Sequence, residues 1–161
     1  MIKRLVLLTC ALAAGIVVLT ACGGSSVPAS ASVERIIYMA AIEPKGSTTV
    51  DKEPFPAAAL PEGDGYGLVE PNADGQWTVE TYRFEPGTIV VNQGDVVTLE
   101  IVGINGKEHQ FSVEGYDVAG VVKRGEITRV TFTANKAGIF RITCGLHLPT
   151  MTADLVVLAA N

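Results

Sequence analysis

The residues best suited to chemistry lie in one stretch, 138–151, which reads G-I-F-R-I-T-C-G-L-H-L-P-T-M. Its first half alternates Phe140, Ile142 and Cys144 with Ile139, Arg141 and Thr143, the period of a strand, so the thiol shares a face with two large apolar residues. Gly145 is expected to free the backbone for a turn, after which His147 and Met151 follow within a few residues. Thiolate, imidazole and thioether are soft or borderline donors. A second imidazole would complete a His2Cys trigonal set with a weak axial Met, the donor set of an electron-transfer copper centre. The chain has only two histidines, and the other is His109 in K-E-H-Q-F-S-V, where alternation puts His109, Phe111 and Val113 on one face.

Taken singly, each residue has an ordinary role. An inward Cys is usually a small core residue, a Met usually fills core space, and a His near a strand end is usually a satisfied polar group. It is the coincidence that carries weight. Both histidines, the candidate thiol and a Met fall in two short segments at inward-facing strand ends.

The beginning of the chain sets the redox compartment. Lys3 and Arg4 precede an apolar run over 5–19 that is short for a membrane span, and Leu19-Thr20-Ala21-Cys22 closes it. This resembles a bacterial lipobox. It implies a signal segment over 1–21 and a lipidated Cys22 that holds the mature protein to a membrane outside the cytoplasm, in the periplasm or at the cell surface. A plain secretory signal or an uncleaved anchor is the alternative. With Cys10 removed and Cys22 blocked, Cys144 is the one remaining thiol of the three in the chain. An unpaired thiol in a disulfide-forming compartment is prone to oxidation unless buried or bound to metal. Residues 22–32 are small and polar and read as a flexible tether, whose 25–32 portion would span about 15 Å. Loss of 1–21 moves the formal charge from −5 to −7, which argues against a nucleic-acid partner and favours a basic or mixed redox protein.

One domain is expected over 33–161. Strands are expected over 34–42, 77–85, 88–91, 96–102, 109–114, 116–122, 127–134, 139–144 and 154–158, joined by turns rich in Gly, Pro and Asn. Val97, Leu99 and Ile101 should face inward, as should Val130 and Phe132. This spacing reads as an all-β Greek-key sandwich. Residues 44–76 break every period and read as an irregular insertion. Within it, Asn72-Ala73-Asp74-Gly75 lacks the remainder of a calcium loop and reads as a turn. No phosphate-binding glycine loop, Ser/His/Asp constellation or internal repeat is present.

With E-P-G-T-I-V-V-N-Q-G-D-V-V, H-Q-F-S-V and the run from Arg124 to His147 in hand, the chain resembles the cupredoxin superfamily over roughly 81–158. It is most similar to nitrosocyanin-like domains and to the copper domains of cytochrome c oxidase subunit II and nitrous oxide reductase. The resemblance implies one copper per chain held by His109, Cys144, His147 and Met151. It implies single-electron transfer with a redox protein such as a c-type cytochrome or a terminal oxidase or reductase, and no catalytic residues. The binuclear relatives need two cysteines four apart, and Phe140 stands four before Cys144, where it is expected to take the place of the missing thiolate. Nitrosocyanin carries a glutamate where this chain has His109, so the set is closer to blue than to red copper. Two other functions compete: a reactive copper site that binds or converts a small molecule, and copper delivery or storage. The latter favours Met- and His-rich tracts that this chain lacks.

Overall fold

A computed structural model describes residues 32–160. The signal, Cys22 and most of the tether lie outside them. No helix among the described residues is long and apolar enough to cross a membrane. Twelve strands make up the regular structure: β1 (Glu34–Ile42), β2 (Lys45–Thr49), β3 (Tyr66–Val69), β4 (Gln76–Thr81), β5 (Arg83–Glu85), β6 (Thr88–Asn92), β7 (Val96–Gly103), β8 (Glu108–Val113), β9 (Val118–Lys123), β10 (Ile127–Thr133), β11 (Gly138–Cys144) and β12 (Thr152–Leu158).

Two sheets form the sandwich, in the orders β10-β7-β1-β5 and β6-β12-β11-β8-β9. Non-sequential neighbours mark the Greek-key crossovers: β1 runs parallel to β7, and β6 parallel to β12. Alternation decides which side chains meet between the sheets. Val97, Leu99 and Ile101 of β7 are fully buried against Phe111 and Val113 of β8, Ile142 of β11 and Leu155 and Val157 of β12. Burial of each large apolar side chain favours the fold by about 1.5–3 kcal/mol. Val130 and Phe132 of β10 pack on the same core from its border, as their alternation predicts.

Residues 44–76 are not irregular throughout. They contain β2 and β3, which flank β4 in a third sheet of order β2-β4-β3. Short, glycine-containing strands such as K-G-S-T-T and Y-G-L-V escape a reading based on period. The β3–β4 hairpin turns at Asn72, whose Oδ1 accepts from Asp74 N and Gln76 N, both at 3.0 Å, with Gly75 at φ 73°. It is a turn, as expected. Trp77 anchors this sheet outside the main core, edge-on to Phe55 at 5.5 Å and donating from Nε1 to Glu53 O at 2.9 Å. The single strand expected over 77–85 is in fact divided. β4 belongs to the third sheet and β5 to the sandwich, and Tyr82 is the joint between them.

Candidate metal centre

β8 and β11 are antiparallel neighbours, with Cys144 opposite Phe111. That register places His109 near the start of one strand and Cys144 at the end of the other, at the same edge of the sandwich. The loop after β11 then returns at once. Met151 N donates to His147 O at 3.0 Å, and Cys144 N donates to Met151 O at 3.0 Å, closing a tight turn around His147. Gly145 is not what permits it. Its backbone lies outside the left-handed region and an added Cβ there would meet open space.

Donor atoms of His109, Cys144 and His147 all lie within 4.8 Å of one another. His147 Nδ1 is 3.3 Å from His109 Nδ1 and 3.4 Å from Cys144 Sγ. His109, Cys144 and Met151 are fully buried, while His147 is half-buried. His109 Nε2 contacts Asn105 O at 2.8 Å. A carbonyl can only accept, so Nε2 carries the proton and Nδ1 is left bare, facing the other two donors. Burial pushes the Cys144 thiol above its ordinary value, and burial together with neighbouring His109 pushes His147 down. The metal-free site is thus biased towards neutral forms, and a metal taken up there must displace the thiol proton. Two bare or weakly protonated imidazole nitrogens and one thiol, converged in a buried pocket, suit a soft or borderline cation such as copper.

Phe140 does not stand where a second thiolate would. It lies in the same strand as Cys144 but four residues back, and it packs edge-on to Tyr116 at 5.0 Å. At about 3.3 Å per residue a strand carries it well away from the site.

Three residues not singled out by the sequence surround the histidines. Tyr82 stacks on His147, ring centroids 3.8 Å apart and planes 5° from parallel. Its hydroxyl donates to Glu43 Oε1 at 2.8 Å. Glu43 in turn exchanges two backbone–side-chain hydrogen bonds with Asn105, the residue that holds His109. Burial opposes ionisation of Glu43, yet hydrogen bonds from Lys45 and Tyr82 outweigh it and hold the carboxyl below its ordinary value. Burial and the Glu43 hydrogen bond push the Tyr82 phenol up to about 12. The third sheet reaches the ligand loop through Gly65: Thr150 Oγ1 donates to Gly65 O at 2.5 Å, and Gly65 N donates to Leu148 O at 2.9 Å. A cleft of about 650 Å³ opens beside His147, lined also by Tyr82, Glu43, Lys45 and Leu146. Leu146 and Leu148 are 38% and 44% exposed and, with Pro149, border His147.

The chain belongs to the cupredoxin-like domain family, whose model matches residues 69–157. The superfamily and the His-Cys-His donor set together imply copper as the cofactor. No curated protein matches the sequence. Among solved structures, a copper nitrite reductase from Nitrosomonas europaea is similar at TM-score 0.52 and 17% identity, covering 78% of this chain and 42% of that one. This chain therefore matches less than half of that chain's length. Auracyanin A, a "blue" copper protein from the green thermophilic photosynthetic bacterium Chloroflexus aurantiacus, aligns at TM-score 0.42 and 21% identity, covering 47% of this chain and 88% of that one.

Proposed function

We propose that the chain is a mononuclear copper protein that passes single electrons between redox partners, tethered outside the cytoplasm through a lipid on Cys22. One observation carries this reading: His109, Cys144 and His147 converge on one buried point from two paired strands and a closed loop. Copper, when bound, would supply a one-electron couple whose two states favour different geometries. The chain's own contribution is to hold the donors still. β8 and Asn105 fix His109, the end of β11 fixes Cys144, and the backbone bonds of Met151 fix the return of the loop. Rotamers set by packing rather than by metal keep the site nearly unchanged between oxidation states. Met151 would supply a fourth, weaker donor. Half-buried His147, bordered by Leu146, Leu148 and Pro149, is the proposed electron port and docking rim. The partner is a redox protein such as a c-type cytochrome or a terminal oxidase or reductase.

The visible spectrum of the copper-loaded mature domain tests this reading. An intense thiolate-to-Cu(II) band at one copper per chain is expected, and Cys144→Ser should abolish it while the fold survives. A colourless loaded wild type would sink it. A second reading, a reactive copper site, draws on the cleft beside His147. It requires an open coordination position, and it predicts a saturable spectral shift with azide.

A further inference from the structure

We propose that Tyr82 is a positioning residue for His147, fixing the ring plane of that ligand and with it the reduction potential of the centre. The inference rests on the copper reading above. A metal-ligating imidazole ordinarily has its second nitrogen held by a hydrogen bond, which fixes both tautomer and ring orientation. His109 follows that rule through Asn105. His147 does not: both hydrogen-bond contacts of its ring among the described residues are made by Nδ1, to His109 and to Cys144. A face-to-face phenol takes the place of the missing bond.

The stack can do this only if Tyr82 is itself immobile. It is held at both ends. Its backbone N donates to Gly65 O at 3.0 Å, and its hydroxyl donates to Glu43 at 2.8 Å. Glu43 is 5% exposed and carries Lys45 on the same oxygen at 2.7 Å. Being the joint between β4 and β5, Tyr82 also transmits the placement of the third sheet to the ligand. With the planes 5° from parallel and the centroids 3.8 Å apart, the His147 ring cannot tilt towards Tyr82 without a clash, so one ring orientation is selected over its neighbours. The π face of a phenol bonded to a carboxylate is electron-rich, so it favours the more positive, oxidised form of the site. Its loss should raise the potential.

Nuclear magnetic resonance and voltammetry on the full chain test this, comparing wild type with Tyr82→Phe and Tyr82→Leu in metal-free and Cu(I)-loaded forms. In the wild type, ring current from Tyr82 should move the His147 ring protons upfield with or without metal. The shift should persist in the Phe variant and vanish in the Leu variant. The potential should rise in the Leu variant and return most of the way to wild type in the Phe variant. A folded Leu variant with wild-type potential and band overturns the proposal while leaving the copper reading standing. A loaded wild type without a visible band overturns both. If the Leu variant does not fold, the wild type decides alone: cross-relaxation between the Tyr82 and His147 rings in the Cu(I) form supports the proposal, and its absence overturns it.

Discussion

Glu43 and Asn105 clasp one another. Glu43 N donates to Asn105 Oδ1 at 2.8 Å, and Asn105 Nδ2 donates to Glu43 O at 2.7 Å. Because Asn105 also holds His109 and Glu43 also holds Tyr82, the two histidines are joined by one continuous path outside the metal point. Asn105→Ala should leave the backbone polar groups of Glu43 without partners, at a cost of about 1–3 kcal/mol. Denaturant titration of the metal-free protein measures that loss. The variant keeps the Asn105 carbonyl that holds His109 and loosens only its placement. Copper affinity should therefore fall by less than the about 10–100-fold that outright loss of such a partner costs. Unchanged affinity in a folded variant would show that the clasp with Glu43 does not place that carbonyl.

Glycine positions around the loop should differ sharply. Gly106 has φ 76°, and a Cβ there would lie 2.9 Å from His109 Nε2. A Cβ on Gly65 would crowd His147 O at 2.9 Å and collide with Thr150 Oγ1. Gly145 has room. Gly65→Ala and Gly106→Ala should therefore perturb the copper spectrum, whereas Gly145→Ala should leave it intact. Equal behaviour of the three would contradict the packing described.

Acid stability should depend on Asp95. This buried carboxylate accepts hydrogen bonds from the Arg35 side chain, from Asn92 N at 2.9 Å and from Val33 N at 3.2 Å. The Arg35 hydrogen bond, followed by that from Asn92, holds its carboxyl below the ordinary value of 3.8. A depressed folded value means stability that is present above the unfolded value and lost as pH falls through the folded one. Urea midpoints of wild type should therefore drop relative to Asp95→Asn as pH falls below about 4. A constant difference between the two across that window would refute the assignment.

Met151→Leu should keep copper and the visible band but raise the potential, since removal of a weak donor favours Cu(I). Voltammetry of the two proteins decides this. Azide should leave the wild-type spectrum unchanged, because the buried Met151 side chain would already supply the fourth donor.

Period-two alternation made the donors legible. It put His109 with Phe111 and Val113, and Cys144 with Ile142, and all five are buried. The supporting residues had no such signal. Glu43 meets Tyr82 across 39 positions and Asn105 across 62, and a polar residue at a strand end announces neither partner. The break at Tyr82 does leave a mark: in W-T-V-E-T-Y-R-F-E the apolar positions shift from Trp77 and Val79 to Tyr82 and Phe84, a change of phase at the point where the chain changes sheets. Phe140 lies away from the donors because an extended strand separates residues four apart, however close they stand in the sequence.

β1 also gives the molecule a direction. Its first residue follows Val33, bonded to Asp95, and its last precedes Glu43, bonded to Asn105. Nine extended residues, roughly 26 Å of strand, therefore separate the entry of the chain from the His147 cleft. Held by its N-terminal side, the domain would present His147 towards the end of β1 opposite the point of attachment. Lipid on Cys22 would then aim the port away from the bilayer. A partner in solution could dock without reorientation, whereas one embedded in the same membrane would require the carrier to turn over on its leash. Shortening residues 22–32 should slow exchange with the second kind of partner and spare the first.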